Sequence, residues 1–429
     1  MSEIELVEFK NYYIPVFNIN YLFQGIDQSL FAVIIPIYLI QVIGVLDAAQ
    51  IAFLGSIIGL PWIFKIFYGI LGDKVGSKRF GRRRPWIIVM VIFTGIMWMI
   101  LGIPSLYNAE NAISFLMLMG TLIFLGVAFA DTIIDGLVLD ITPKDKLGRV
   151  SGLNWGVRSV GAIAGGPALA FFIVFAGLDV PTLFIIIGIL TILSSFTVLI
   201  IKEPIVYPDV KLGTHLKQMF NNKRDWKTYA FSLFAAIIDS VGILIISIFV
   251  LINMGLLSSA GTSLSLPSDN LDIYIVNGGI TAIVAVGVVI GAVFGGQIAD
   301  RIARKLSVYI AFIITTLSLL LMIIPTTWPV LLGISTLVGC AIGWRHSSYA
   351  AIATEISKKH PEMDSTFYSL CNAFANMGGI LGLSLSGIVL SSTESYIILF
   401  IFLAIISNLG LIGILLLDKK DYELKRKLN

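Results

Sequence analysis

Twelve separate apolar runs, each long enough to cross a bilayer, constrain this chain more than any other feature. A helix needs about 20 apolar residues, at 1.5 Å each, to cross the hydrocarbon core. Runs of that kind lie near residues 15–43, 49–71, 85–104, 112–141, 149–176, 181–201, 228–256, 273–299, 306–325, 329–356, 365–391 and 395–417. Several exceed the minimum, so tilted helices are expected. Of the 429 residues only 13% are charged and 57% are hydrophobic, whereas a soluble domain carries about 25% charged residues. Too few ionisable side chains exist to coat a water-facing surface of this size. The expected fold class is therefore an all-α polytopic membrane protein.

Lys and Arg orient the spans, because cytoplasmic loops carry the excess of both. Segments 44–48, 105–111, 177–181, 257–272 and 392–394 contain neither, and carry Asp47, Glu110, Asp179, Asp269, Asp272 and Glu394 instead. The opposite loops hold Lys74, Lys78, Arg79, Arg82, Arg83, Arg84, Lys144, Lys146, Arg149, Arg301, Arg304, Lys305, Lys358 and Lys359. Both termini are expected on the cytoplasmic side of the cell membrane, in line with an even number of spans. No basic region precedes the first span, so that span is the expected insertion signal rather than a cleaved leader. Cys340 and Cys371 both fall in apolar runs and offer neither a disulfide framework nor metal-ligand spacing.

The 202–227 stretch is the longest basic connector and divides the chain into two six-helix bundles, 1–201 and 228–417, followed by a tail at 418–429. Features recur across that divide in order. Asp27 is matched by Asp239, Gly69-x-x-x-Asp73-Lys74 by Gly296-x-x-x-Asp300-Arg301, Asp140 by Glu355, and Asp131 by Arg345-His346. Offsets of roughly 212 to 227 residues are what duplicated, pseudo-symmetric halves give.

Gly69-Ile70-Leu71-Gly72-Asp73-Lys74 with Arg82-Arg83-Arg84 resembles the loop signature of the major facilitator superfamily, and the likeness runs the full length. The stretch from Leu60-Pro61-Trp62 through Arg84-Pro85-Trp86 is similar to AmpG-type muropeptide permeases and folate–biopterin transporters. Tyr21 through Gly25 leans to the folate–biopterin group, while Asp131 through Gly136, Pro143 through Gly148 and Arg158 lean to AmpG and acetyl-CoA transporters. The Arg-Arg-Arg-Pro-Trp loop is also similar to glycoside–cation symporters and plant sucrose transporters. The resemblance implies secondary transport and a central cavity lined by helices 1, 4, 7 and 10. It leaves the substrate open among pterins, amino sugars and disaccharides.

Charges inside hydrocarbon are costly and, in transporters, mark pathways and have partners. Asp27, Lys65, Asp131, Asp135, Arg158, Asp239 and Arg345 lie well inside the runs, and His346 is an eighth ionisable group. Six of these eight, all but Lys65 and Arg158, fall on the implied cavity helices. Asp131 and Arg158 are both roughly 13 Å from the basic rim, so they are expected to meet between neighbouring helices. Asp131 and Asp135 share a helix face, and Lys65 matches Asp135 in depth. Four carboxylates face three fixed cations. An acid taken from water without a counter-ion can bind a proton near neutral pH, and Asp27, then Asp239, is the expected carrier. Arg345 is the expected anchor for an anionic or hydroxyl-rich substrate. The same pairs can also serve only to lock helices together.

By the resemblance, Asp73 and Asp300 latch the inner gate against the N-termini of helices 11 and 5. Gly55/Gly59, Gly161/Gly165, Gly287/Gly291/Gly295 and Gly378/Gly382 put small-residue stripes on helices 2, 5, 8 and 11, expected at the seam between halves, with Gly339/Gly343 outside that pattern. Gly72 through Arg79 has the wrong spacing for a phosphate loop, and no His-Glu-x-x-His or Gly-x-Ser-x-Gly motif occurs. An enzyme, a cofactor, a metal site and nucleic-acid binding are therefore not expected. The expected partners are lipid, a small solute and protons, with a monomer sufficient. A non-transporting assembly factor of the PucC type, a uniporter and an exporter remain alternatives.

Overall fold

The computed structural model describes residues 9–76, 80–203, 217, 219–267, 271–360 and 364–423, without the side chains of Asp73, 144–145, 147–149, 151–152, 155 and 364–365. Among them, twelve helices are long and apolar enough to cross a membrane. They are α1 (Tyr13–Ile43), α2 (Ala48–Gly72), α3 (Arg84–Leu101), α4 (Ala112–Ile141), α5 (Gly156–Phe175), α6 (Val180–Ile200), α7 (Lys223–Asn253), α8 (Asp272–Arg301), α9 (Arg304–Leu321), α10 (Trp328–Ser357), α11 (Thr366–Thr393) and α12 (Tyr396–Leu416). Each overlaps the run expected for it. Burial is inverted relative to a soluble protein: Leu193, Val289 and Ile405 are more than half exposed, while Asp27, Asp131 and Arg345 are almost fully buried. The outer helix faces carry apolar side chains as a lipid solvent requires.

Two compact units divide the described residues. The first holds residues 9–44, 57–76, 80–203 and 271–278; the second holds 45–56, 217, 219–267, 279–360 and 364–423. In the first, α1 packs on α5, α3 on α4 and α6, and the later part of α2 on α4. In the second, α7 packs on α11 and α12, and α9 on α10 and α12. A small antiparallel sheet also forms in the second unit, with β1 (Val45–Asp47) and β2 (Ser258–Ala260) flanking β3 (Ser263–Ser265). Two of those strands come from the 257–272 segment, which the sequence marks only as a loop.

Three of the four glycine stripes correct one expectation, while Gly55 of α2 does lie against Leu383 of α11 and Leu244 of α7. Gly161 and Gly165 lie against the backbone of Leu22 and Ile26 on α1, and Gly378 and Gly382 against Leu233 and Ile237 on α7. Gly287 and Gly291 abut Thr336 and Cys340, while Gly339 and Gly343 abut Val284 and Val288. These stripes therefore close the α1–α5, α7–α11 and α8–α10 pairs inside their own units. The reason is general: a small residue is needed wherever two backbones approach closely. The α8–α10 contact is reciprocal, which is why Gly339/Gly343 stood outside the expected pattern.

Several helices depart from regular α geometry at depth, α12 among them with a break at Asn408. Residues Leu30–Ile34 of α1 and Ala164–Ala168 of α5, the latter with Pro167 inside, form π turns. In α2, Leu60–Phe64 tightens to a 3-10 turn led by Pro61, and the Tyr68 hydroxyl donates to the Pro61 carbonyl at 3.0 Å. Asn277 likewise donates to the Val33 carbonyl inside the α1 π turn at 2.8 Å. A carbonyl freed in hydrocarbon must find a donor, and these side chains supply it. The departure in α7 carries the most consequence.

Candidate functional site

In the first unit, the 3-10 turn of α2 ends at Lys65, which starts a fresh α segment pointing at α4. Lys65 Nζ lies 2.5 Å from Asp131 and 3.8 Å from Asp135, one turn apart on α4. Arg158 of α5 approaches Asp131 at 3.8 Å from the other side. The Tyr21 hydroxyl of α1 donates to Asp135. Trp62 lies beneath both cations, with Lys65 5.1 Å and Arg158 5.4 Å from its ring centre. The expected Asp131–Arg158 pairing is present. Lys65 reaches Asp131 more closely than the Asp135 that depth alone selected. Two cations thus meet two acids, and the Asp135 side chain, 48% exposed, forms the open edge of the cluster.

Asp27 takes no part in that network. It is 2% exposed, and its Oδ1 accepts from Trp98 Nε1 of α3 at 2.8 Å. Among the described residues it makes no ion pair. Asn20, Gln24, Thr94, Thr191 and Ser194 surround the same small cavity on α1, α3 and α6.

In the second unit, α7 breaks at 236–238: one α segment ends at Ala235 and the next begins at Asp239. Arg345 of α10 fills the break. Its Nε donates to the Ala235 carbonyl at 2.9 Å and its Nη2 to Phe234 at 2.8 Å, with longer contacts to the Ser407 carbonyl at 3.4 Å. The guanidinium also stacks on Phe312 at 4.1 Å and is 1% exposed. The expectation of a substrate anchor at Arg345 is therefore corrected, since its donors face the orphan carbonyls of a helix end, where a cation also complements the dipole. Asp239 opens the next segment, where an acid is favoured for the converse reason, and His346 Nδ1 stands 4.0 Å from it with a side chain 58% exposed.

The residues of the expected gating motif lie at the basic loop ends. Arg82 and Arg83 reach Asp140 at the end of α4, at 3.0 and 2.6 Å. Glu203 accepts from the backbone N–H groups of Arg83 and Arg84 at 2.8 and 3.2 Å, capping α3, and Arg84 donates to the Ile201 carbonyl at 2.7 Å. Gly81 makes the turn at φ 93°, and a Cβ there would meet the Glu203 carboxylate. The second unit repeats the pattern: Glu423 accepts from the N–H groups of Arg304 and Lys305, and Arg304 pairs with Glu355 at 3.1 Å. Gly69 and Gly72 pack on Thr132 and Ile133 of α4, and Gly296 near Ser347 of α10. Asp300 and Arg301 are exposed at the end of α8, while the side chains of Asp73 and Arg149 lie outside the described residues. Exchanging Glu203 for Gln is expected to lower stability by about 1–2 kcal/mol, because a charge-assisted helix cap becomes a neutral one. A thermal unfolding midpoint identical to that of the parent protein would show that the carboxylate charge is not what holds α3.

With this geometry in place, the comparisons with known proteins are specific. The model of the Major Facilitator Superfamily matches residues 17–268 and 246–429. The chain belongs to that superfamily. Two curated relatives are a probable folate-biopterin transporter 4 of Arabidopsis thaliana, 26% identical over 162 residues (37% of this chain, 31% of that protein), and a folate-biopterin transporter of Synechocystis sp., 28% identical over 194 residues (43% and 36%). The matches thus cover about a third of the length of these curated relatives. Among solved structures, the nucleoside transporter NupG superposes with a TM-score of 0.67 at 14% identity, covering 94% of this chain and 98% of that one. A bacterial homologue of the human lysosomal transporter Spinster, inward-facing and unoccupied, gives 0.66 at 16% identity, covering 89% and 82%. At those identities the likeness is one of fold. Membership in the superfamily was legible along the whole chain, whereas Tyr21, Trp62, Trp98, Glu203 and Glu423 were not singled out. Tyr21 and Trp62 stood only within stretches that carry the resemblance, and the other three in none.

Proposed function

We propose that this chain is a secondary transporter that moves a small polar solute by alternating access, with a proton as the coupled ion. The observation that carries this reading is the Lys65–Asp131–Arg158–Asp135 cluster: four charges held at membrane depth, balanced, and open at one edge. A helix lock needs charges paired and closed, but a pathway needs charges that can exchange partners. When a solute brings an anionic or strongly accepting group to Lys65 or Arg158, Asp131 and Asp135 are released to take up a proton. Asp27 is a second carrier, since burial without a cation leaves protonation as one route to neutrality. The basic loops are assigned to the cytoplasm and the molecule to the cell membrane, acting as a monomer.

The solute class that fits is a heteroaromatic molecule of the pterin or folate kind. Support comes from the names of the two curated relatives and from the Trp62 ring set against two cations. Uptake of a labelled pterin into proteoliposomes tests the reading. An inwardly directed proton gradient is expected to accelerate flux several-fold in the parent protein and by less in Asp27→Asn. Equal flux with and without the gradient would remove proton coupling, and absence of flux for every pterin and folate tried would remove the solute class.

A further inference from the structure

The cavity around Asp27 is too small to be the solute site. It measures about 20 Å³, room for one water-sized occupant, whereas sites for metabolites run to roughly 300 Å³ or more. Six of its eleven lining residues are nonetheless polar, Asp27 among them. Asn20 Nδ2 donates to the Val16 carbonyl at 2.9 Å, which leaves Asn20 Oδ1 buried without a donor. Thr94 Oγ1 donates to the Met90 carbonyl at 2.9 Å, and Ser194 Oγ to the Thr191 carbonyl at 2.7 Å, so both present lone pairs to the interior. Gln24 Oε1 and Thr191 Oγ1 are buried without partners as well. Gln24 Nε2 is buried without a partner too, and the Thr191 hydroxyl can donate as well as accept. Asp27 adds a full negative charge.

A small cavity that gathers buried, unpartnered oxygens around a carboxylate with no counter-ion offers the ligand chemistry of a hard cation. Size limits the occupant to one, and charge limits it to monovalent, since a divalent ion would leave a net positive charge in an apolar bundle. We propose that this cavity, inside the first unit and separate from the Lys65–Asp131 cluster, is a binding site for a single dehydrated Na⁺. The ion neutralises Asp27 in place of a proton, so the two compete. Among the described residues no other titratable side chain faces the cavity: Trp98 of α3 donates to Asp27, α4 brings only apolar groups and α6 brings hydroxyls. The charged group on α5, Arg158, is paired with Asp131, and Tyr21 on α1 is bound to Asp135. Occupancy of this cavity is independent of whether the chain moves a solute.

The test uses the purified full-length protein in detergent with no solute present. Thermal unfolding is followed in NaCl, LiCl, KCl and choline chloride at equal ionic strength. Na⁺ is expected to raise the midpoint saturably, with K⁺ weaker because the cavity is small. The apparent Na⁺ affinity is expected to fall about tenfold per pH unit once protons compete. Asp27→Asn abolishes the Na⁺ effect, and Thr191→Val, which keeps the volume but removes one oxygen, weakens it at least tenfold. A midpoint that is the same in all four salts means that the cavity holds water only and overturns the proposal. So does a Na⁺ effect that persists in both variants.

Discussion

Arg345→Gln is expected to unfold at a markedly lower temperature than the parent protein, with a loss of about 3–5 kcal/mol, because at least two buried carbonyls lose a charged donor. The carbonyls are those of Phe234 and Ala235, where the first α segment of α7 stops at depth in the bundle. Glutamine carries one amide group and cannot reach both, and the cation complementing the helix end is lost with it. Arg345→Lys is expected to recover only part of the loss, since an ammonium cannot donate from a planar fork. The measurement is a thermal melt followed by tryptophan fluorescence, paired with solute uptake. A variant that melts like the parent but no longer transports would return Arg345 to the substrate-anchor role that its position in the sequence implies.

That contrast marks where sequence reading stopped. The spans were legible because apolar length is a local property, and the membrane charges because each is an exception within its own run. The role of Arg345 was not, because it depends on the break at 236–238. That break falls in Ala236-Ile237-Ile238, with no glycine or proline to announce it. Glu203 and Glu423 were passed over because an acid at the end of an apolar run looks like a solvated loop residue until its carboxylate is seen against two backbone N–H groups. The expected Lys65–Asp135 pair is present at 3.8 Å, but depth did not point to the closer contact with Asp131. Depth arithmetic matches Cα positions, but a lysine side chain spans about one helical turn, 5.4 Å. Asp131 and Asp135 are one turn apart, so depth cannot choose between them.

The cluster that Lys65 completes yields the second large effect. Lys65→Met is expected to cost about 3–5 kcal/mol, because Asp131, nearly fully buried, loses its closest counter-ion. Arg158 remains, but at 3.8 Å it holds Asp131 less closely than Lys65 does. Adding Asp131→Asn to Lys65→Met removes the stranded charge and leaves Arg158 and Asp135 in balance, so most of the stability is expected to return. Transport is not expected to return with it, because the exchangeable pair is gone. A double-mutant cycle read by unfolding and by uptake in parallel separates the two roles. If stability and uptake recover together in the double variant, the Lys65–Asp131 pair acts only as a helix lock and the pathway runs elsewhere. If stability recovers alone, the pair is held in the bundle for its charge, since a neutral pair of similar size packs as well.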